Sequence, residues 1–187
     1  LPMTLSLLQR ISRKENPQIV LGAFEQRWTD FDHVDARNHE TWVALDRVRD
    51  PGNLGTIMRS ADAVGASGLI LIGDCTDPYS VESVRASMGA VFNTRIIACS
   101  ESAFLKFAAS WQGRIVGTAL AASIDYRKAD YKRPLIMLMG NEQSGLTDNL
   151  MRACGQLIKL PMLGRSDSLN LAVATGIVLY ETMARDD

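Results

Sequence analysis

Residues 157–180 read LIKLPMLGRSDSLNLAVATGIVLY. The apolar run Leu157 to Leu160 has the length of one buried strand, and Pro161 closes it because proline has no N–H for a sheet ladder. Gly164 to Asp167 form a polar loop. From Leu169 onward, Ala172, Val173, Gly176, Ile177 and Tyr180 recur at helical spacing, which predicts a helix capped by Ser168 or Asp167. The first-turn N–H groups of such a helix have no intrahelical partners and are free to face a ligand. A strand, a bent loop and a helix start therefore make a place where backbone groups hold a small molecule.

The same strand-then-helix unit repeats upstream. Trp42 to Val48, Leu69 to Ile72, Thr94 to Cys99, Arg114 to Ala119 and Leu135 to Met139 read as five further strands. Helical stripes lie between them: Leu54, Ile57, Met58, Ala61 and Val64; then Val81, Val84, Arg85 and Met88; then Phe104, Phe107, Ala108 and Trp111. Most of these strands are apolar on both faces. The expected fold is α/β, with a mostly parallel six-stranded sheet covered by helices.

Residues 1–40 differ in character from the rest of the chain. Leu5, Leu7, Leu8 and Ile11 predict a short helix, Ile19 to Phe24 a strand, and Thr29 to Glu40 a polar linker containing Asp30, Asp32, Asp35, His39 and Glu40. The expected division is residues 1–40 as the tail of a partial N-terminal domain and residues 41–187 as the main domain. A first residue that is Leu rather than Met fits a piece of a longer chain.

Composition excludes several classes. With 187 residues and 47% hydrophobic content, there is material for one full core and a small appendage. A net charge of −1 gives no global attraction to nucleic acid, so any such contact comes from a local basic face or a partner chain. Arg47, Arg49, Arg165 and the pairs Arg127–Lys128 and Lys132–Arg133 are candidates for gathering phosphates. Cys75, Cys99 and Cys154 lie far apart, as reduced thiols of a cytoplasmic protein do, and two histidines do not build a metal site. No apolar run is long enough to cross a membrane as a helix, and no signal peptide is visible.

Two further segments carry candidate chemistry. Asp50-Pro51-Gly52-Asn53 is a turn signal in which Asn53 is placed to cap the next helix, with Arg59 six residues on. Gly140-Asn141-Glu142-Gln143-Ser144-Gly145 follows the fifth strand, and its glycines permit close approach of backbone to a ligand. Read plainly, this is a glycine-rich strand-to-helix turn with Glu142 near a helix N-terminus, where a carboxylate is favoured. Neither segment is a dinucleotide fingerprint or a P-loop.

Taken together, Asn53 to Arg59, Gly140-Asn141-Glu142 and PMLGRSDSLN (161–170) resemble the three motifs of the SpoU (TrmH-like) branch of the SPOUT RNA methyltransferases. The resemblance covers Trp42 to Thr182. One departure is Ala172, where the family often has Ser. The resemblance implies a C-terminal trefoil knot, which general rules of chain topology argue against and periodicity does not reveal. It implies transfer of methyl from S-adenosylmethionine to a ribose 2′-hydroxyl of rRNA or tRNA by a cytoplasmic homodimer that needs no metal. Carried over by motif, the catalytic set is Arg59, Asn53, Glu142, Ser168 and Asn170. The cofactor set is Thr118, Gly140, Leu160, Met162, Ser168 and Leu169. An arginine is a poor base, with a pKa above about 12, so Arg59 either orients the hydroxyl or takes its proton. Arg85 to Ala90 also resembles a family segment, read as a structural helix or an RNA-facing arginine. The alternatives are an RNA base methyltransferase of the same superfamily and a non-catalytic RNA-binding module. Many relatives of this kind carry a small N-terminal RNA-binding domain of ribosomal-protein type, which residues 1–40 would end.

Overall fold

Alternating side chains of the central strands are buried on both sides, and this decides the layering. In β1 (Thr41–Asp46), Val43 and Leu45 join one apolar cluster while Trp42 and Ala44 join another. The same division recurs in β2 (Gly68–Ile72) and β6 (Leu135–Met139), all of whose residues are buried. A strand with two dry faces cannot be amphipathic, which is why these segments read as continuous apolar runs. The computed structural model describes residues 1–34 and 40–184.

The remaining strands are β3 (Arg95–Cys99), β4 (Arg114–Thr118), β5 (Ile124–Asp125) and β7 (Gln156–Lys159). The sheet order is β3-β2-β1-β6-β4-β7-β5, and every strand pair is parallel. The sheet thus has seven strands rather than the expected six. The extra one is the two-residue β5, which pairs only with β7 and is too short to show a period.

The helices α1 (Leu5–Ser12), α2 (Pro51–Ala63), α3 (Val81–Ala86), α4 (Glu101–Ser110) and α6 (Leu171–Met183) fall where apolar stripes predict them, and α5 (Asp148–Ala153) is an additional short helix. Leu54, Ile57 and Met58 of α2 and Val178 and Leu179 of α6 seal one face of the sheet. Phe104 of α4 and Leu150 of α5 seal the other. Burial pushes the Cys99 thiol up to about 11 and the Cys154 thiol up to about 12, so these free cysteines stay neutral.

Three local expectations are corrected. Ile19 to Phe24 is not a strand. Its apolar residues are largely exposed, Ile19 at 91% and Phe24 at 73%, and the segment's neighbour Thr29 makes a lone backbone bond to Ile96 of the edge strand β3. An apolar run without a ladder partner stays irregular. The N-cap of α2 is Asp50, whose carboxylate accepts the Asn53 N–H at 2.6 Å, so Asn53 lies inside the first turn. The N-cap of α6 is Asn170, not Ser168 or Asp167, because its Oδ1 reaches both the Ala172 and Val173 N–H groups. Asp35 and His39 of the expected linker lie outside the described residues.

Close contact between α2 and α3 depends on Gly55. A Cβ there would stand 2.4 Å from the Ser83 carbonyl oxygen and 2.8 Å from the Ser87 nitrogen. Gly176 of α6 has room, its nearest neighbour being Ser60 Oγ at 3.8 Å. Urea denaturation should therefore show Gly55→Ala losing about 2–3 kcal/mol through overpacking against backbone. Gly176→Ala should gain about 0.5–1 kcal/mol from helix propensity.

Candidate active site

In a parallel sheet all strand ends of one kind share an edge, so the loops after β1, β4, β6 and β7 meet there. The chain reverses its direction of travel across the sheet between β1 and β4, and such switch points leave a crevice. A cavity of about 380 Å³ opens at this edge. It has the size and mixed lining of a small-molecule site.

Each residue assigned to cofactor binding lines this cavity. Thr118 ends β4, Gly140 follows β6, and Leu160, Met162, Ser168 and Leu169 come from the loop between β7 and α6. Asn141, Glu142 and Ser144 supply polar atoms, and Leu146 and Leu171 add apolar wall. The last two lack a local signal that would single them out from core leucines. A Cβ on Gly140 would come within 2.6 Å of the Leu146 nitrogen, so only glycine lets the 140–146 loop fold back this tightly.

Three polar residues from three separate loops form one chain. The Oδ1 of Asn170 is committed to the first turn of α6, which leaves its Nδ2 to donate to Asn53 Oδ1 at 2.9 Å. That in turn fixes the Asn53 amide, whose Nδ2 donates to Glu142 Oε1 at 3.1 Å. Every donor and acceptor orientation follows from the helix N–H groups at one end and the carboxylate at the other. Glu142 itself is among the residues that line the cavity.

Glu142 does not sit at a helix N-terminus. Asn141 and Gly145 exchange backbone hydrogen bonds at 3.2 and 2.9 Å, closing a small loop with Glu142 near its tip, and α5 begins only at Asp148 behind the cap Thr147. The Asn141 Oδ1 accepts from the Gln143 and Ser144 N–H groups, so the loop is braced from inside.

Two assigned catalytic residues stand apart from this chain. Ser168 lines the cavity without a hydrogen bond to another described residue. Arg59 lies on the exposed side of α2 and does not line the cavity. Six residues after Asn53, it stands about 9 Å further along the helix. Of the other basic residues, Arg49 pairs with Asp74 at 2.6 Å and Arg127 with Asp125 at 2.7 Å, while Arg85 donates to the Ser12 carbonyl. Among the described residues, no helix is long and apolar enough to cross a membrane.

A parallel α/β sheet whose post-strand loops close over one cavity defines a small-molecule-binding α/β protein, and within that class the chain belongs to the SpoU rRNA Methylase family, matched over residues 40–180. The knot expected of the C-terminal segment is implied by that membership. Among solved structures, an AdoMet-bound rRNA methyltransferase from Sinorhizobium meliloti is 50% identical, with a TM-score of 0.94 over 97% of this chain and 70% of that one. The 23S rRNA (uridine(2479)-2′-O)-methyltransferase of Streptomyces viridochromogenes is 34% identical over 97% of this chain and 66% of its own length. A 23S rRNA (guanosine-2′-O-)-methyltransferase of Vibrio parahaemolyticus is 36% identical over 82% of this chain and 63% of its own length. The chain thus spans just under two thirds of the length of these two relatives.

Because Asn170 both caps α6 and ties it to α2, Asn170→Ala should lower stability by about 1 kcal/mol in thermal or urea unfolding. Ser168→Ala, which removes no hydrogen bond to a described residue, should shift stability by less than about 0.5 kcal/mol.

Proposed function

We propose that this protein transfers a methyl group from S-adenosylmethionine to a ribose 2′-hydroxyl of ribosomal or transfer RNA in the cytoplasm. What carries the reading is the convergence of Asn53, Glu142 and Asn170 in one hydrogen-bonded chain beside a cavity lined by Gly140, Leu160, Met162 and Leu169. Family membership and relatives named for 2′-O transfer support it. They favour ribose over base as the acceptor.

The cavity residues fit the cofactor. Leu160, Met162 and Leu169 offer apolar surface for the faces of an adenine, while the backbone of the 140–146 loop and Thr118 offer polar groups at its edges. When bound there, S-adenosylmethionine supplies an electrophilic methyl on a positive sulfonium. The chain's part is proximity and alignment. Arg59 holds the nucleotide phosphate and the 2′-hydroxyl with its planar fork of donors. Asn53 and Glu142 steady the acceptor at the cavity mouth, Asn170 fixes the end of the loop that closes over the cofactor, and Ser168, which lines the cavity, meets the ligand from that loop.

The enzyme acts as a homodimer in this reading. One side of α6 packs into the core, yet Val173, Ile177 and Tyr180 on the other side are exposed at 51%, 37% and 57%. A helix apolar on all sides is normally covered on all sides. A second copy covering it would lie next to Leu169 and the cavity mouth, and would bring chemistry from two chains together. Residues 1–40, which precede all but one position of the matched region, we assign to a unit separate from residues 41–187, serving RNA selection.

Incubation with total RNA and methyl-labelled cofactor, followed by alkaline hydrolysis, tests the reaction. Label should be retained in alkali-resistant dinucleotides, since a blocked 2′-oxygen cannot cleave the chain; label in ordinary mononucleotides would support base methylation instead. Arg59→Ala should lower methyl transfer by at least about a hundredfold while calorimetry finds cofactor affinity within about twofold of the parent. Sedimentation velocity should find the parent dimeric and Val173→Asp with Ile177→Asp monomeric, with little change in helix content.

A further inference from the structure

Arg47, which directly follows β1, has a φ of +49°, a left-handed conformation that few residues other than glycine, asparagine and aspartate adopt. Its surroundings hold it there. Its carbonyl accepts from Asn141 Nδ2 at 2.7 Å, and its N–H donates to the Ile72 carbonyl at 2.9 Å. Its guanidinium makes two hydrogen bonds to Asp46, both 2.8 Å, and a third to the Gly145 carbonyl at 3.3 Å. The Asp46 side chain is 1% exposed, and a carboxylate so deeply buried needs a cation beside it.

Asn141 and Gly145 are the two ends of the loop that walls the cavity. Arg47 therefore grips both ends at once, one through its backbone and the other through its side chain. The strand ladder does not require this. β1 is already paired on both sides along its length, and a residue after its end is free to point elsewhere. The left-handed turn is what lets the carbonyl and the guanidinium of one residue reach the same loop. The segment that Arg47 begins leads directly to Asn53, so the residue also sets the loop's distance from the start of α2.

We propose that Arg47 is a positioning residue that holds the 140–145 loop in its ligand-receiving shape before the ligand arrives. This rests on the reading of the cavity as the S-adenosylmethionine site. A loop that is already ordered loses less freedom on binding, so the effect falls on affinity.

The test uses Arg47→Gly, which suits the positive φ but removes the guanidinium, alongside Arg47→Lys, which keeps one charged donor. Arg47→Gly should weaken S-adenosylmethionine binding about tenfold by calorimetry and raise its KM far more than it lowers kcat, with partial recovery in Arg47→Lys. Without ligand, hydrogen exchange at the Asn141 and Gly145 amides should quicken, while β1 and β6 keep their protection. If Arg47→Gly fails to fold with Asp46 left unpaired, the same variant combined with Asp46→Asn carries the test. Exchange at Asn141 and Gly145 within twofold of the parent would overturn the proposal, as would unchanged affinity. Failure of the parent itself to bind S-adenosylmethionine would overturn the cofactor reading, and the exchange data would then still decide whether Arg47 holds the loop.

Discussion

The Asn170 side chain serves two elements with one amide. Its oxygen satisfies the first free N–H groups of α6, and that commitment leaves its nitrogen to bind Asn53. Helix ends in any protein need such partners. Here the partner is chosen so that capping the last helix also fixes an amide of the second helix, which in turn orients the carboxylate of Glu142. A polar chain that is anchored by backbone at one end has only one arrangement of donors and acceptors. The site thereby gains definite geometry at positions that are otherwise exposed to water.

That arrangement depends on the sheet beneath it. Parallel strands bring their C-terminal ends to one edge, and the crossing from β3 to β4 leaves the place between β1 and β4 that β6 fills. Loops separated by about a hundred residues become neighbours without any long excursion of the chain. The core on both faces makes the platform stiff, and glycine at positions 55 and 140 lets backbone approach backbone where a Cβ would not fit. The same edge holds the apolar wall of the cavity and the polar chain at its mouth.

Charge plays a local part rather than a global one. With no net excess of positive charge, the chain directs its arginines individually. Arg49, Arg114 and Arg127 pair with surface carboxylates, and such pairs contribute little to stability. Arg59 is left unpaired among the described residues, on the side of α2 that faces away from the core. An arginine held ready in this way suits a ligand that brings its own negative charge, as a phosphate backbone does.

The sequence by itself determined the layered α/β architecture, because strands buried on both faces leave continuous apolar runs and amphipathic helices leave stripes. The resemblance of its motifs to the SpoU family also pointed to Thr118, Gly140, Leu160, Met162, Ser168 and Leu169, all of which line the cavity. Tertiary structure alone decided which side chain caps each helix. Asp50 and Asn170 do so in place of Asn53 and Ser168, because a cap is chosen by the bend of the backbone, and neighbouring polar residues are equivalent on paper. It decided that Ile19 to Phe24 finds no ladder and that Ile124–Asp125 does, since pairing depends on an available edge and not on composition. And it decided that Arg47, one arginine among many in the sequence, turns left-handed to hold a loop nearly a hundred residues away. Contacts made across such a separation have no local period to betray them.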